Sequence, residues 1–178
     1  MLNSLLPRVF KTTTTPAFWS QVAWTALRVC IGVTMVHNGT NKLSDIEGFA
    51  EAYVKVIGLP FPIFFSYVAA YTELLGGPML ALGLLGRTAA FGLFGTMCVA
   101  MYHHILTAGF SIPYLELPAI YAACFLFFTV NGPGLFSVDT LIFNWIDANV
   151  LSTKDKQVMQ LERSSNMAAA DKEATVSK

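Results

Sequence analysis

Charge is what this sequence has least of. Only 12% of its 178 residues are Asp, Glu, Lys or Arg, while 54% are hydrophobic; a soluble domain usually carries about 25% charged residues. Acidic and basic residues balance at 11 each, so no basic face is expected and no nucleic-acid partner. Cysteine is scarce. Cys30, Cys98 and Cys124 fall one each in three apolar segments, none in a C-x-x-C pair, so a redox dithiol is excluded and small core residues are expected. The three histidines, His37, His103 and His104, form neither a Glu-x-x-His nor a His-x-x-x-His pattern. A di-iron carboxylate bundle and a same-face metal pair are therefore not expected, and no metal site is predicted. A haem between His37 and His104 is geometrically conceivable, but two histidines alone are a weak signal for one. The glycine-rich pieces lack a P-loop Lys-Ser/Thr and a preceding strand, which removes a nucleotide fingerprint.

What the chain does have is long apolar runs, and a mean hydropathy of +0.56 despite two polar ends. The central run, Phe61 to Leu85, carries one charge, Glu73. As an α-helix it would cover ~37 Å, enough to cross a ~30 Å hydrocarbon layer with tilt. A carboxylate at that depth must face protein or water. Gly76, Gly77 and Pro78 follow it, and the proline, crowding the carbonyl of Leu74, predicts a bend.

Around this run the pattern predicts an all-α fold: an integral membrane four-helix bundle with a short interfacial C-terminal helix. Residues 1–17 hold Arg8 and Lys11 and no acid, as in a basic flank before a membrane helix. The bundle and interfacial helix occupy 18–149, with spans at about 18–41, 61–85, 88–106 and 114–131. Residues 44–60 predict a short amphipathic surface helix through Phe49, Ala52, Tyr53 and Val56. Glu116 and Pro118 suit the first turn of the fourth helix. After Asn131-Gly132-Pro133-Gly134, Ser137 can cap a last helix, with Asp139 in its first turn and Val138, Leu141, Ile142, Trp145 and Ile146 on one face. From residue 150 the sequence is polar, lacks aromatics and predicts a disordered tail. Arg8, Lys11, Arg87, Lys154, Lys156 and Arg163 would share one side of the membrane, leaving Lys42 and Lys55 on the other. Both termini are therefore predicted cytoplasmic, in a bacterial inner membrane or on the equivalent side of an organelle membrane.

Counting along alternating helices at ~1.5 Å per residue puts Arg28 and Glu73 both near mid-membrane, where an ion pair is the simplest way to satisfy each. The outer half then gathers His37, Asn38, Lys42, His103, His104 and Glu116 above that pair. Neighbouring residues on a helix point ~100° apart, so only one of His103 and His104 should face the site well; the small-residue stripe Gly92, Thr96, Ala100 favours His104. Arg28, Glu73, His37 and His104 are the candidate catalytic residues, with a histidine moving a proton near its unperturbed pKa of ~6.5. Asn38, Lys42, His103 and Glu116 are the candidate substrate-binding residues. The same polar residues could instead only fix helix register.

Several pieces carry a family resemblance: Arg28; His37-Asn38-Gly39-Thr40-Asn41-Lys42-Leu43; Gly58-Leu59-Pro60; Glu73-Leu74-Leu75-Gly76-Gly77; Leu82-Gly83-Leu84-Leu85-Gly86-Arg87; and Gly132-Pro133-Gly134-Leu135-Phe136-Ser137-Val138-Asp139. In order and spacing, over roughly residues 22–143, they resemble the DoxX family of small four-helix membrane proteins. That resemblance implies a four-span bundle and a role as subunit of a quinone-linked membrane oxidoreductase, with a quinone as the implied cofactor and a protein partner or a second copy of the chain beside the bilayer. The alternatives are a non-catalytic scaffold or accessory subunit and a small-molecule or proton carrier.

Overall fold

The computed structural model describes residues 17–150, all of the secondary structure among them helical. The expectations for the basic flank and the polar tail lie outside the described residues. Helix α1, Phe18–Ser44, is followed by a short turn of helix, α2, Ile46–Phe49, and by a π-helical segment, Ala50–Val54. Helix α3 is Pro62–Leu82, α4 Gly86–Ala108 and α5 Ile112–Asn131. Residues 138–150 form a last helix, α6. The chain divides after Thr140 into two compact units. The first holds α1 to α5, and the described part of the second, 141–150, is helical.

The four long helices agree with the sequence pattern, but their ends differ in instructive ways. Helix α1 continues through Asn38 to Ser44, because the polar residues there are satisfied within the helix: Thr40 Oγ1 donates to the His37 carbonyl at 2.8 Å, and Asn41 Nδ2 lies 3.0 Å from His37 Nε2. Helix α3 stays helical through Pro78 to a left-handed Gly83. Helix α5 begins at Ile112, with Pro113 in its first turn. Pro118 and Glu116 therefore lie beyond the first turn, a correction to their expected place. Pro113 and Pro118 both have the fixed φ of a helix start, and only the local chain decides which one begins it. By length and composition α4 and α5 are apolar enough to cross a membrane; α1 is interrupted by Arg28 and Lys42, and α3 by Glu73.

Helices α1 and α3 pack backbone to backbone. A Cβ built on Gly32 would stand 2.6 Å from the Gly77 carbonyl oxygen, and one on Gly39 would stand 2.9 Å from that of Ala70. No side chain fits at either point, so glycine is what lets the helices meet. Gly32 thus faces Gly77 and Gly39 faces Ala70 in one antiparallel register. The core beside this seam is Ile31, Met35, Leu80, Leu93, Phe125 and Phe128 with alanines of α4 and α5. Of the cysteines, Cys98 and Cys124 are half-buried and Cys30 is exposed, all three free. Cys30 is thus not a core residue; it lies off the face of α1 that carries Gly32 and Met35.

Candidate functional site

The α1–α3 register decides which charges meet. Glu73 is buried and bonded to the ammonium of Lys42, not to Arg28. The expected Arg28–Glu73 pair is absent, and the physical reason is side-chain lean. In a helix each Cα–Cβ bond tilts toward the N-terminus. With Gly32 opposite Gly77, Arg28 is level with Ala81, eight residues or ~12 Å along α3 from Glu73. Both side chains then lean away from each other. Lys42 starts nearer the C-terminal end of α1 and leans back, while Glu73 leans toward that same end on the antiparallel neighbour, so these two converge. The Lys42 ammonium also lies 5.4 Å from the centre of the Phe49 ring, within cation–π reach.

Arg28 serves a different end of the bundle. Its Nε donates to the Ala81 carbonyl at 3.1 Å, one Nη to the carbonyl of Pro133 and the other to that of Phe136 at 2.8 Å. The rigid guanidinium fork suits such a set of carbonyls. Around it, Trp24 Nε1 donates to Gly132 O at 3.1 Å, and Gln21 Oε1 accepts from Leu135 N at 2.8 Å. The buried Asp139 accepts from Leu85 N at 2.7 Å and Gly86 N at 2.8 Å. Those amides open α4, where Leu85 is left-handed at φ 47° and supplies no side-chain cap. The segment 132–140 is therefore a clasp between α1, the α3–α4 turn and the end of α5. Ser137 caps α6 as the sequence predicts, accepting from Thr140 N at 3.3 Å.

The Lys42–Glu73 pair instead borders a cavity of about 800 Å³. Its walls come from α1, α3, α4 and the α2 and π-helical turns. Among the sequence candidates it brings together Asn38, Lys42, Glu73, His103 and His104. Arg28, His37 and Glu116 are not in its lining; Arg28 is in the clasp, His37 is exposed and bonded to Asn41, and Glu116 is exposed. Both neighbouring histidines reach the wall. His103 is the more buried and its Nε2 lies 3.1 Å from the Ala52 carbonyl. Because a carbonyl only accepts, that contact puts the proton on Nε2. Its ring packs on Tyr53 at 4.6 Å between centroids, while His104 stacks on Tyr114 at 6.0 Å.

The expectation of a surface helix over 44–60 changes most. Asp45 caps α2 through Gly48 N at 3.0 Å, and the chain then folds Phe49, Ala52 and Tyr53 against the cavity. The same helical spacing that suggests a membrane-surface face here makes a roof. Thr72 and Thr96 also line the cavity, their hydroxyls donating to Val68 O at 2.7 Å and Leu93 O at 2.8 Å. Among the described residues no three of His, Cys, Asp and Glu gather as metal ligands. The site can hold a small, largely apolar molecule with one polar end. Lys42 and the amides of Asn38 and Asn41 are the available donors, and Glu73 is the fixed counter-charge.

Residues 23–107 match the family model described as DoxX, and the match supports membership of the DoxX family. It takes in α1 through most of α4, and so every cavity residue named above; the clasp lies beyond it. No curated protein and no solved structure matches the chain.

Proposed function

Starting from membership of the DoxX family, we propose that this protein is a four-span membrane subunit that holds a quinone-like headgroup in the outer half of its bundle and serves a quinone-linked oxidoreductase. Helices α1, α3, α4 and α5 have 27, 21, 23 and 20 residues, each long enough at ~1.5 Å per residue to span a hydrocarbon layer of ~30 Å. Their outer surface carries large apolar side chains, such as Val33, Leu75, Phe91, Leu117 and Val130, which is how a lipid-facing surface reads. The charged side chains of α1 and α3, Arg28, Lys42 and Glu73, are turned inward, onto the clasp and the Lys42–Glu73 pair.

The observation that carries the reading is the Lys42–Glu73 pair at the border of an apolar cavity. A quinone offers two carbonyl acceptors on a flat ring. Lys42 can donate to one, and the aromatic ring of Tyr53 can cover a face. Desolvation by the ligand strengthens such a charge-assisted bond. The electrons would pass to or from a partner, a role in which the chain binds and orients rather than supplies a redox group.

Binding of decyl-benzoquinone to the purified protein in nanodiscs tests this. The double variant Lys42→Met/Glu73→Gln removes the polar end without leaving a lone charge. It should weaken binding by about tenfold, the loss of one charge-assisted hydrogen bond. Equal affinity in parent and double variant would sink the reading.

A further inference from the structure

A second cavity of about 550 Å³ lies on the outer side of the same helix pair, α3 and α4. Val68, Thr72 and Gly92 line both it and the first cavity. Beyond them the second cavity is mostly apolar, walled by Tyr67, Tyr71, Leu75 and Met79, with Thr88 at one edge. Tyr67, Tyr71 and Leu75 are exposed on the surface of α3, and the two tyrosine rings stack at 6.1 Å.

The boundary between the two spaces is thin. A Cβ on Gly92 would meet only the Thr72 methyl, at 3.3 Å, and one on Gly95 would meet nothing within 4 Å. The Thr72 hydroxyl is turned away, donating to Val68 O at 2.7 Å, so its methyl is what faces Gly92. The two spaces are thus parted where the Thr72 methyl packs on Gly92, and Gly95 leaves open room on the side of the polar cavity.

We propose that displacement of the Thr72 methyl from Gly92 opens a lateral route into the site and that the second cavity is the tail groove of the same ligand, which is therefore a long-tailed amphiphile taken from the lipid phase. The proposal rests on the reading of the first cavity as a quinone-like head site. Continuity of the walls identifies the occupant: the groove begins at the residues where the head cavity ends, and its surface is mostly apolar. A head held at Lys42 would send its tail past Thr72 and Gly92 and along Tyr67, Tyr71 and Met79. A water-soluble substrate would have no use for the groove.

Binding of decyl-benzoquinone and of tail-less benzoquinone, both expressed per mole of lipid so that partitioning cancels, tests this in nanodiscs. The tail comes from lipid rather than water, so what the groove adds is close packing; the parent should prefer the tailed compound by roughly fivefold or more. Gly92→Leu should fill the boundary between the two spaces and bring the ratio below about twofold. A decyl-benzoquinone with a terminal diazirine should label α3 between Tyr67 and Met79 in the parent, and unlabelled decyl-benzoquinone should compete. That readout stands even where Gly92→Leu fails to fold. Head binding with no tail preference, a preference that survives Gly92→Leu, or competed labelling elsewhere overturns the tail groove and leaves the head site standing. Failure of both compounds to bind, or binding indifferent to Lys42→Met/Glu73→Gln, overturns the head site itself.

Discussion

Arg28 and Lys42 lie on one face of α1 and do different things. The fork of Arg28 holds three backbone carbonyls, whereas the ammonium of Lys42 neutralises one buried acid. Lys42→Met alone leaves Glu73 buried and unmatched, at a cost of ~3–5 kcal/mol. Adding Glu73→Gln should restore most of it, since no lone charge then remains. Chemical unfolding in detergent measures the cycle; single and double effects that simply add would show that the pair does not hold. Arg28→Lys keeps the charge and loses the fork. It should lower stability by ~1.5–3 kcal/mol and leave ligand affinity at the parent value. A loss of affinity at full stability would place Arg28 in the site after all. Arg28, level with Ala81, does not share the depth of Glu73 that counting along the helices gives; only the residue types of Arg28 and Lys42 were legible in the sequence. Their partners were not, because a partner depends on inter-helix register and on the direction in which each side chain leans.

At the scale of elements, the clasp shows how helices can be finished by distant residues. Helix α4 opens on a left-handed leucine with no cap of its own, and Asp139 supplies the acceptor from beyond α5. An acid at a helix start also meets the favourable end of the dipole. Asp139→Ala should therefore cost ~1–2 kcal/mol. Amide hydrogen exchange at Leu85 and Gly86 should rise by more than at mid-α4. Unchanged protection there would mean that water or another group satisfies these amides. The spacing 28, 32, 35, 39, 42 on α1 and 66, 70, 73, 77, 80 on α3 is a 4–3–4–3 seam on each helix, and it is the sequence signal for their pairing. It already contains Arg28, Lys42 and Glu73. The fold of Ile46–Val54 into a roof was less legible, since an amphipathic turn buries its face equally well on lipid or on protein.

For the whole molecule, four spans require that the turn near Ser111 and the N-terminal segment lie on opposite sides of the membrane. In a background with Cys30, Cys98 and Cys124 replaced, single cysteines at Lys11 and at Ser111 should react with an impermeant maleimide from opposite sides only. Reaction of both from one side would refute four spans.

Composition and periodicity alone determined that this is a helical protein with four long helices, and that two of them, α3 and α5, each carry a single acid. These follow from local propensity and from hydropathy summed over a helix length. Tertiary structure decided the rest. The glycine contacts Gly32–Gly77 and Gly39–Ala70 set the register that gives Glu73 to Lys42 and Arg28 to the clasp. The packing of α2 and the π-helical turn made Phe49 and Tyr53 part of a cavity. Neither outcome is local: a shift of one turn along α1 would leave every helix as apolar as before and part Lys42 from Glu73 and Arg28 from its carbonyls, because the rise of ~5.4 Å per turn is comparable to the reach of the side chains that must meet.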